Sequence, residues 1–135
     1  PRLAPADVPF DPRADGGALQ LADDTRRYAL TVGADRFELT PVSMGNPHAV
    51  LFVDSLADAP VENVGRALVA HPVFPEGANI GFCQVVDPGF VRLRVYERGV
   101  GETRACGSGA CAAVVAAQLR GSVGQRVKVS LPGGK

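Results

Sequence analysis

The chain has no tryptophan, only two tyrosines and six phenylalanines among 135 residues. It therefore lacks the interleaved aromatic and basic surface that stacks on nucleic-acid bases. It also lacks net charge, since fourteen basic residues balance fourteen acidic ones. No overall field steers a polyanion or an anionic bilayer toward it, so the sequence predicts neither nucleic-acid nor membrane partners. No apolar run reaches the roughly 20 residues that span a bilayer. Residues 1–10 lack the charged start and apolar centre of a secretory signal. Three cysteines, Cys83, Cys106 and Cys111, cannot all pair within one chain, and no CxxC or nearby histidine completes a zinc site. These absences predict reduced thiols, a cytoplasmic setting and no bound metal.

What is present is ordinary for one globular domain, with 46% apolar and 21% charged residues. Residue 1 is proline and the only methionine is Met44, which predicts a piece of a longer polypeptide. Val127 to Leu131 reads as a strand entering a turn at Gly133-Gly134 with no strand returning, so truncation before a final strand is expected.

Residues 1–27 are rich in proline, aspartate, glycine and alanine, and predict an irregular lead-in with at most an edge strand. Tyr28 to Val32 and Phe37 to Val42 alternate as strands around a turn at Gly33-Ala34-Asp35. His48 to Val53 is a compact apolar run suited to a buried strand. Asp58 offers a helix cap ahead of Val61, Val64 and Leu68, which share a face, and Pro72 stops that helix. Strands follow over Asn79 to Val86 and Phe90 to Glu97, around a turn at Asp87-Pro88-Gly89. In the second of these, Val91, Leu93 and Val95 alternate with Arg92, Arg94 and Tyr96, predicting one wet face. Ser108 to Arg120 reads as a nearly uncharged helix, covered over most of its surface and stopped at Gly121. The expected fold is α+β, a mainly antiparallel sheet packed around a long buried helix, in one domain over 1–135.

Chemistry concentrates at Glu97-Arg98-Gly99 and Ala105-Cys106-Gly107-Ser108-Gly109. Cys106 stands just before a helix start, where free N–H groups and the helix dipole favour an anion and raise the thiolate fraction. Glu97 ends the preceding strand and could exchange a proton with that thiol. Arg98 could pair with a carboxylate. By spacing alone, a reactive thiol and a plain tight turn stay equally open. Cys83 and Cys111 read as small buried hydrophobes. Gly107-x-Gly109-x-x-Ala112 imitates a dinucleotide fingerprint but follows no strand directly and has no acidic residue after it. Asn46-Pro47-His48 turns the chain into the buried strand, with His48 either a titrating partner or a histidine satisfied by backbone. Asn79 begins another strand and His71 closes a helix; both read as structural when taken alone.

Together, Gly45-Asn46-Pro47-His48, Ala78-Asn79-Ile80-Gly81-Phe82, Tyr96-Glu97-Arg98-Gly99 and Ala105-Cys106-Gly107-Ser108-Gly109 resemble diaminopimelate epimerase in order and approximate spacing. The resemblance runs from about Val42 to the end. It implies two similar α/β lobes, each giving one catalytic cysteine to a shared substrate cleft. It also implies interconversion of L,L- and meso-diaminopimelate, for lysine and peptidoglycan synthesis, without pyridoxal phosphate or metal. By that match this chain is the second, C-terminal lobe. Cys106 is its acid/base and Glu97 adjusts its ionisation, while His48 does so for the cysteine of the first lobe. Asn46, Asn79, Glu97, Arg98, Gly107 and Ser108 bind the small-molecule substrate. The partner is the first lobe of the same polypeptide, and a homodimer stays open. The first-lobe cysteine motif is missing from these residues, so the fragment is expected to be inactive alone. A related cofactor-free racemase for another amino acid such as proline, a non-catalytic binding lobe, and a cysteine hydrolase using His48 are the competing readings.

Overall fold

Leu19–Gln20 (β1), Tyr28–Val32 (β2), Asp35–Ser43 (β3) and Pro47–Phe52 (β4) lead into a first helix, Val61–Val69 (α1). Asn79–Asp87 (β5), Phe90–Glu97 (β6) and Gly101–Thr103 (β7) then precede the second helix, Gly107–Leu119 (α2), and Lys128–Ser130 (β8) follows it. The structure, a computed structural model, describes residues 8, 10, 19–20, 27–32, 35–104 and 106–132. The turns expected at Gly33-Ala34 and Gly133-Gly134, most of the 1–27 lead-in, and Ala105 lie outside the described residues.

All the strands join one sheet in the order β1-β2-β3-β4-β5-β6-β7, with β8 also paired to β6. Five of the described pairings are antiparallel and two are parallel. The α+β class with a mainly antiparallel sheet is therefore as expected. The β4–β5 parallel pair exists because α1 carries the chain back across the sheet, which a hairpin cannot do. That crossover sets His48 opposite Asn79. The β5–β6 hairpin is tightened by Asp87, whose carboxylate accepts the Gly89 N–H at 2.8 Å. β6 is flanked twice on its outer side: β7 pairs its C-terminal end, with Glu97 opposite Gly101, and β8 pairs its N-terminal end.

Alternation along the strands divides the interior in two. Leu39, Ala49, Leu51, Ile80 and Phe82 meet Val61, Val64 and Leu68 of α1, and the same core takes in Val8, Phe10 and Tyr28. Val42, Val50, Cys83, Val91, Leu93 and Val95 meet Ala112, Ala113 and Ala116 of α2. A helix thus covers each face of the central strands. This corrects one sequence expectation. The side of β6 expected to be wet is exposed at Arg92, but Tyr96 packs against the α1 core. The helix expected to be covered over most of its surface buries Gly109, Ala112, Ala113, Ala116 and Ala117 and half-buries Ser108, Ala110, Val114 and Val115, leaving Gly107, Cys111, Gln118 and Leu119 exposed. Cys111 points outward and is exposed. It was expected to be buried on apolarity alone, but position 111 falls on the opposite side of α2 from Ala112 and Ala116.

α2 ends as the sequence predicted. Gly121 takes φ 74° and the Ser122 N–H reaches back to the Ala117 carbonyl at 3.0 Å. α1 begins differently from expectation. Its N-cap is Pro60, with no side-chain cap, so Asp58 does not serve. Among the described residues no helix is long and apolar enough to cross a membrane.

One contact between α1 and β6 bears on the site. A Cβ at Gly65 would lie 2.5 Å from Cγ of Tyr96, the residue before Glu97. Glycine in a helix interior usually costs about 0.5–1 kcal/mol relative to alanine, so Gly65→Ala would ordinarily stabilise. Here the methyl must push α1 or the Tyr96 ring aside, and overpacking of that kind costs about 1–3 kcal/mol. Gly65→Ala is expected to lower the urea unfolding midpoint. An unchanged or raised midpoint would show that the helix is not clamped to β6 at this point.

Candidate active site

The N-terminal ends of β4 and β5, the C-terminal end of β6 and the start of α2 meet at one end of the sheet. Sheet register alone brings His48 opposite Asn79 and Ile80 opposite Tyr96, so Glu97 ends its strand beside them. The start of α2 comes down onto this edge because residue 109 is glycine. A Cβ there would sit 3.1 Å from Cγ2 of Val95 and 3.1 Å from the Cys106 sulfur.

Cys106 is the N-cap of α2. Its backbone is extended and its Sγ accepts the Gly109 N–H at 3.3 Å, while its carbonyl accepts the Ala110 N–H at 3.0 Å. Of the first four amide groups of the helix, those of Gly107 and Ser108 have no acceptor among the described residues. Two N–H donors and the positive end of the dipole therefore stand free beside the sulfur, an arrangement that attracts an anionic group. Cys106 is 7% exposed and packs with Val42 and Val95. The described cavities, of about 420, 260 and 290 Å³, lie elsewhere on the sheet and none is lined by His48, Asn79, Glu97 or Cys106.

His48 is buried, 2% exposed. Its Nε2 lies 3.1 Å from Asn46 Oδ1 and 3.2 Å from Ser108 Oγ. Burial pushes the imidazole down to about 4, and the Glu97 charge pulls the other way. His48 is consequently neutral near pH 7. Asn46 Nδ2 donates to Ser108 Oγ at 3.4 Å, and that hydroxyl lies 3.7 Å from the Cys106 sulfur.

The remaining residues divide. Asn79 is buried, and its Oδ1 accepts the Arg98 backbone N–H at 2.8 Å, which fixes the turn leaving β6. Its amide nitrogen makes no hydrogen bond among the described residues. Glu97 is half-buried, with no ion pair among the described residues. Arg98 is exposed and its Nη1 donates to the Glu76 carbonyl at 2.5 Å, so its guanidinium is engaged by the loop before β5. Asn46, His48, Cys106 and Ser108 are thus joined through side chains. Asn79 and Arg98 meet each other, and Glu97 reaches His48 by charge alone. Sequence reasoning had assigned Ser108 a role as a binding residue and did not foresee its hydroxyl at the centre of these contacts. Its place two residues after a helix-capping cysteine was the available signal. Cys83 is sealed in the core, its thiol pushed up to about 12 by burial. No group of His, Cys, Asp and Glu that could hold a metal occurs among the described residues.

A family model described as diaminopimelate epimerase matches residues 40–135. Diaminopimelate epimerase of Pseudomonas paraeruginosa is 53% identical over all 135 residues, and that of Thioalkalivibrio sulfidiphilus is 50% identical over the same span. The Xylella fastidiosa protein of that name is 59% identical over 107 residues, or 79% of this chain. The chain spans about half the length of these curated relatives, 46% of the first and 38% of the last. The match takes in the helix-capping cysteine and each of the elements that meet around it, and the chain belongs to the diaminopimelate epimerase family.

Proposed function

We propose that these residues form the C-terminal lobe of a two-lobe enzyme that interconverts L,L- and meso-diaminopimelate, and that Cys106 is one of its two acid/base groups. The observation that carries this reading is the cysteine used as a helix cap, with the Gly107 and Ser108 N–H groups uncommitted beside it. The α-proton of an amino acid is very weakly acidic, and removing it leaves charge that spreads into the carboxylate. Fixed donors in a water-poor site are the physical means of stabilising that charge.

On this reading the Gly107 and Ser108 amides bind one carboxylate of the substrate. Asn46, Asn79 and Arg98 hold its other polar ends, for which Arg98 must leave the Glu76 carbonyl. The Cys106 sulfur, as thiolate, takes the α-hydrogen as a proton and becomes a thiol. The C–H electron pair stays on the α-carbon, and a thiol of the other lobe protonates the opposite face. In the reverse direction the two sulfurs exchange roles. Glu97 and His48 set the electrostatics around them. The reaction needs both faces of the α-carbon served, so residues 1–135 alone are inactive. We assign the enzyme to the cytoplasm.

The test is solvent exchange. A polypeptide carrying both lobes, incubated with diaminopimelate in D2O, should incorporate deuterium at the α-carbon, read by NMR. The 135-residue chain alone should give none. Exchange by the short chain at the rate of the two-lobe protein would defeat the two-base reading, and no exchange by either would defeat the assignment of substrate.

A further inference from the structure

We propose that the Ser108 hydroxyl is a positioning residue for the thiol: it closes a one-way chain of hydrogen bonds from His48 through Asn46 to the Cys106 sulfur, and so favours the thiolate. The proposal rests on the reading of Cys106 as an acid/base group.

The direction of the chain follows from donor counting. Asn46 Oδ1 can only accept, so its 3.1 Å contact with His48 Nε2 requires the proton on Nε2. The Asn46 amide group donates to Ser108 Oγ at 3.4 Å. With Nε2 already a donor, the hydroxyl cannot give its proton to His48 across their 3.2 Å contact. Among the contacts of the described residues the acceptor left is the sulfur, 3.7 Å away, and the proposal takes the hydroxyl as the donor of this pair. The same sulfur takes the Gly109 N–H at 3.3 Å. Two donors therefore converge on one sulfur, and donors stabilise its anionic form.

The surroundings leave few competing charges. Among the described residues, α2 packs on β3, β4, β5 and β6. At this end β3 offers Ser43, whose hydroxyl accepts the Gly45 N–H, and β5 offers Asn79; neither titrates. β4 contributes His48 and β6 contributes Glu97, and the Glu97 charge acts on His48. A neutral His48 with its proton on Nε2 suits the chain, and the burial of that ring is consistent with it.

The experiment uses the two-lobe polypeptide with Cys111→Ala, which removes the exposed thiol of this lobe; Cys83 is too buried to react. Iodoacetamide alkylation of Cys106 is followed by peptide mass spectrometry from pH 5 to 10, without substrate. Ser108→Ala keeps both backbone amides but deletes the hydroxyl. Alkylation at pH 7 is expected to slow about tenfold, with the half-maximal pH moving upward, as for loss of a hydrogen bond to a charged group. Ser108→Thr should restore both. With diaminopimelate, Ser108→Ala should lower kcat and leave KM near its original value, because the amides still bind the carboxylate. In the unsubstituted protein, the ¹⁵N shifts of His48 should report the Nε2–H tautomer. An unchanged or downward-shifted alkylation profile in Ser108→Ala, or an Nδ1–H tautomer in the unsubstituted protein, overturns the chain. If the two-lobe protein exchanged no α-hydrogen at all, the functional reading would fail. The alkylation and tautomer results would still decide the hydrogen-bond chain.

Discussion

Cys106→Ser, introduced into the two-lobe polypeptide, is expected to slow α-hydrogen exchange of diaminopimelate about 10³-fold, within the range that a single positioned acid/base group supplies. Serine suits this experiment because it separates the capping role of the residue from its proposed acid/base role. As N-cap of α2 the sulfur accepts the Gly109 N–H, and a serine hydroxyl is among the best groups for that task. The fold should therefore persist with an unchanged unfolding midpoint, while the hydroxyl, which does not ionise near neutral pH, cannot carry the proton. Cys83→Ser or Cys111→Ala would not reproduce the loss, because one thiol is sealed in the core and the other faces solvent away from the sheet. A Cys106→Ser protein exchanging within threefold of the original rate would remove Cys106 from the chemistry.

The second large effect is on stability in acid. Burial lowers His48 from the ordinary 6.5 to about 4 in the folded chain. Once unfolded, the ring takes up a proton below pH 6.5 that the folded protein refuses until about pH 4. The unfolded state binds more protons in that window, so stability is complete above it and falls as the pH drops through it. At 1.36 kcal/mol per tenfold difference in proton affinity, this displacement corresponds to about 3 kcal/mol. Urea midpoints measured at pH 7 and pH 4.5 should differ markedly, and His48→Gln should flatten the difference. The Arg94–Glu102 ion pair, at 2.8 Å, holds the Glu102 carboxyl below its usual range; the stability it gives is present at neutral pH and is lost only as the pH falls below the ordinary carboxylate range. A His48→Gln protein that loses stability between pH 7 and 4.5 as steeply as the original would move the acid sensitivity to His71, which burial also lowers, and to the carboxylates.

Much of the arrangement was legible in the residue pattern. The apolar run after Asn46 is a strand buried along most of its length, and the alternation of Val91, Leu93 and Val95 gave the side of β6 that faces α2. Composition misled in two places and was silent in a third. Residues 1–27 read as an irregular lead-in with at most an edge strand, which β1 at the sheet edge matches; what the reading did not give is that Val8 and Phe10 are buried, with the Phe10 ring 4.8 Å from that of Tyr28 and 5.3 Å from that of Phe74. Isolated anchors of this kind have no period to detect. β7, Gly101–Thr103, is too short and polar to register, and exists because it pairs with β6. Cys111 was taken as buried because the whole of α2 is apolar, and a uniformly apolar helix hides which side meets the sheet. At the site, the motifs named the residues but not their partners. Only pairing across the sheet reveals that Asn79 and Arg98 engage each other while Asn46 and His48 reach Ser108.

On the proposed reading the reacting atom is also a helix cap, which links two processes usually kept apart. Whatever loads the sulfur, whether a proton, an oxidant or an alkyl group, weakens its acceptance of the Gly109 N–H, and a lost cap costs a helix about 1 kcal/mol. Fraying of the first turn of α2 and the proton inventory of the thiol must then share one free energy, each biasing the other by the same amount. Amide exchange at Gly109 would track the state of the sulfur through the catalytic cycle.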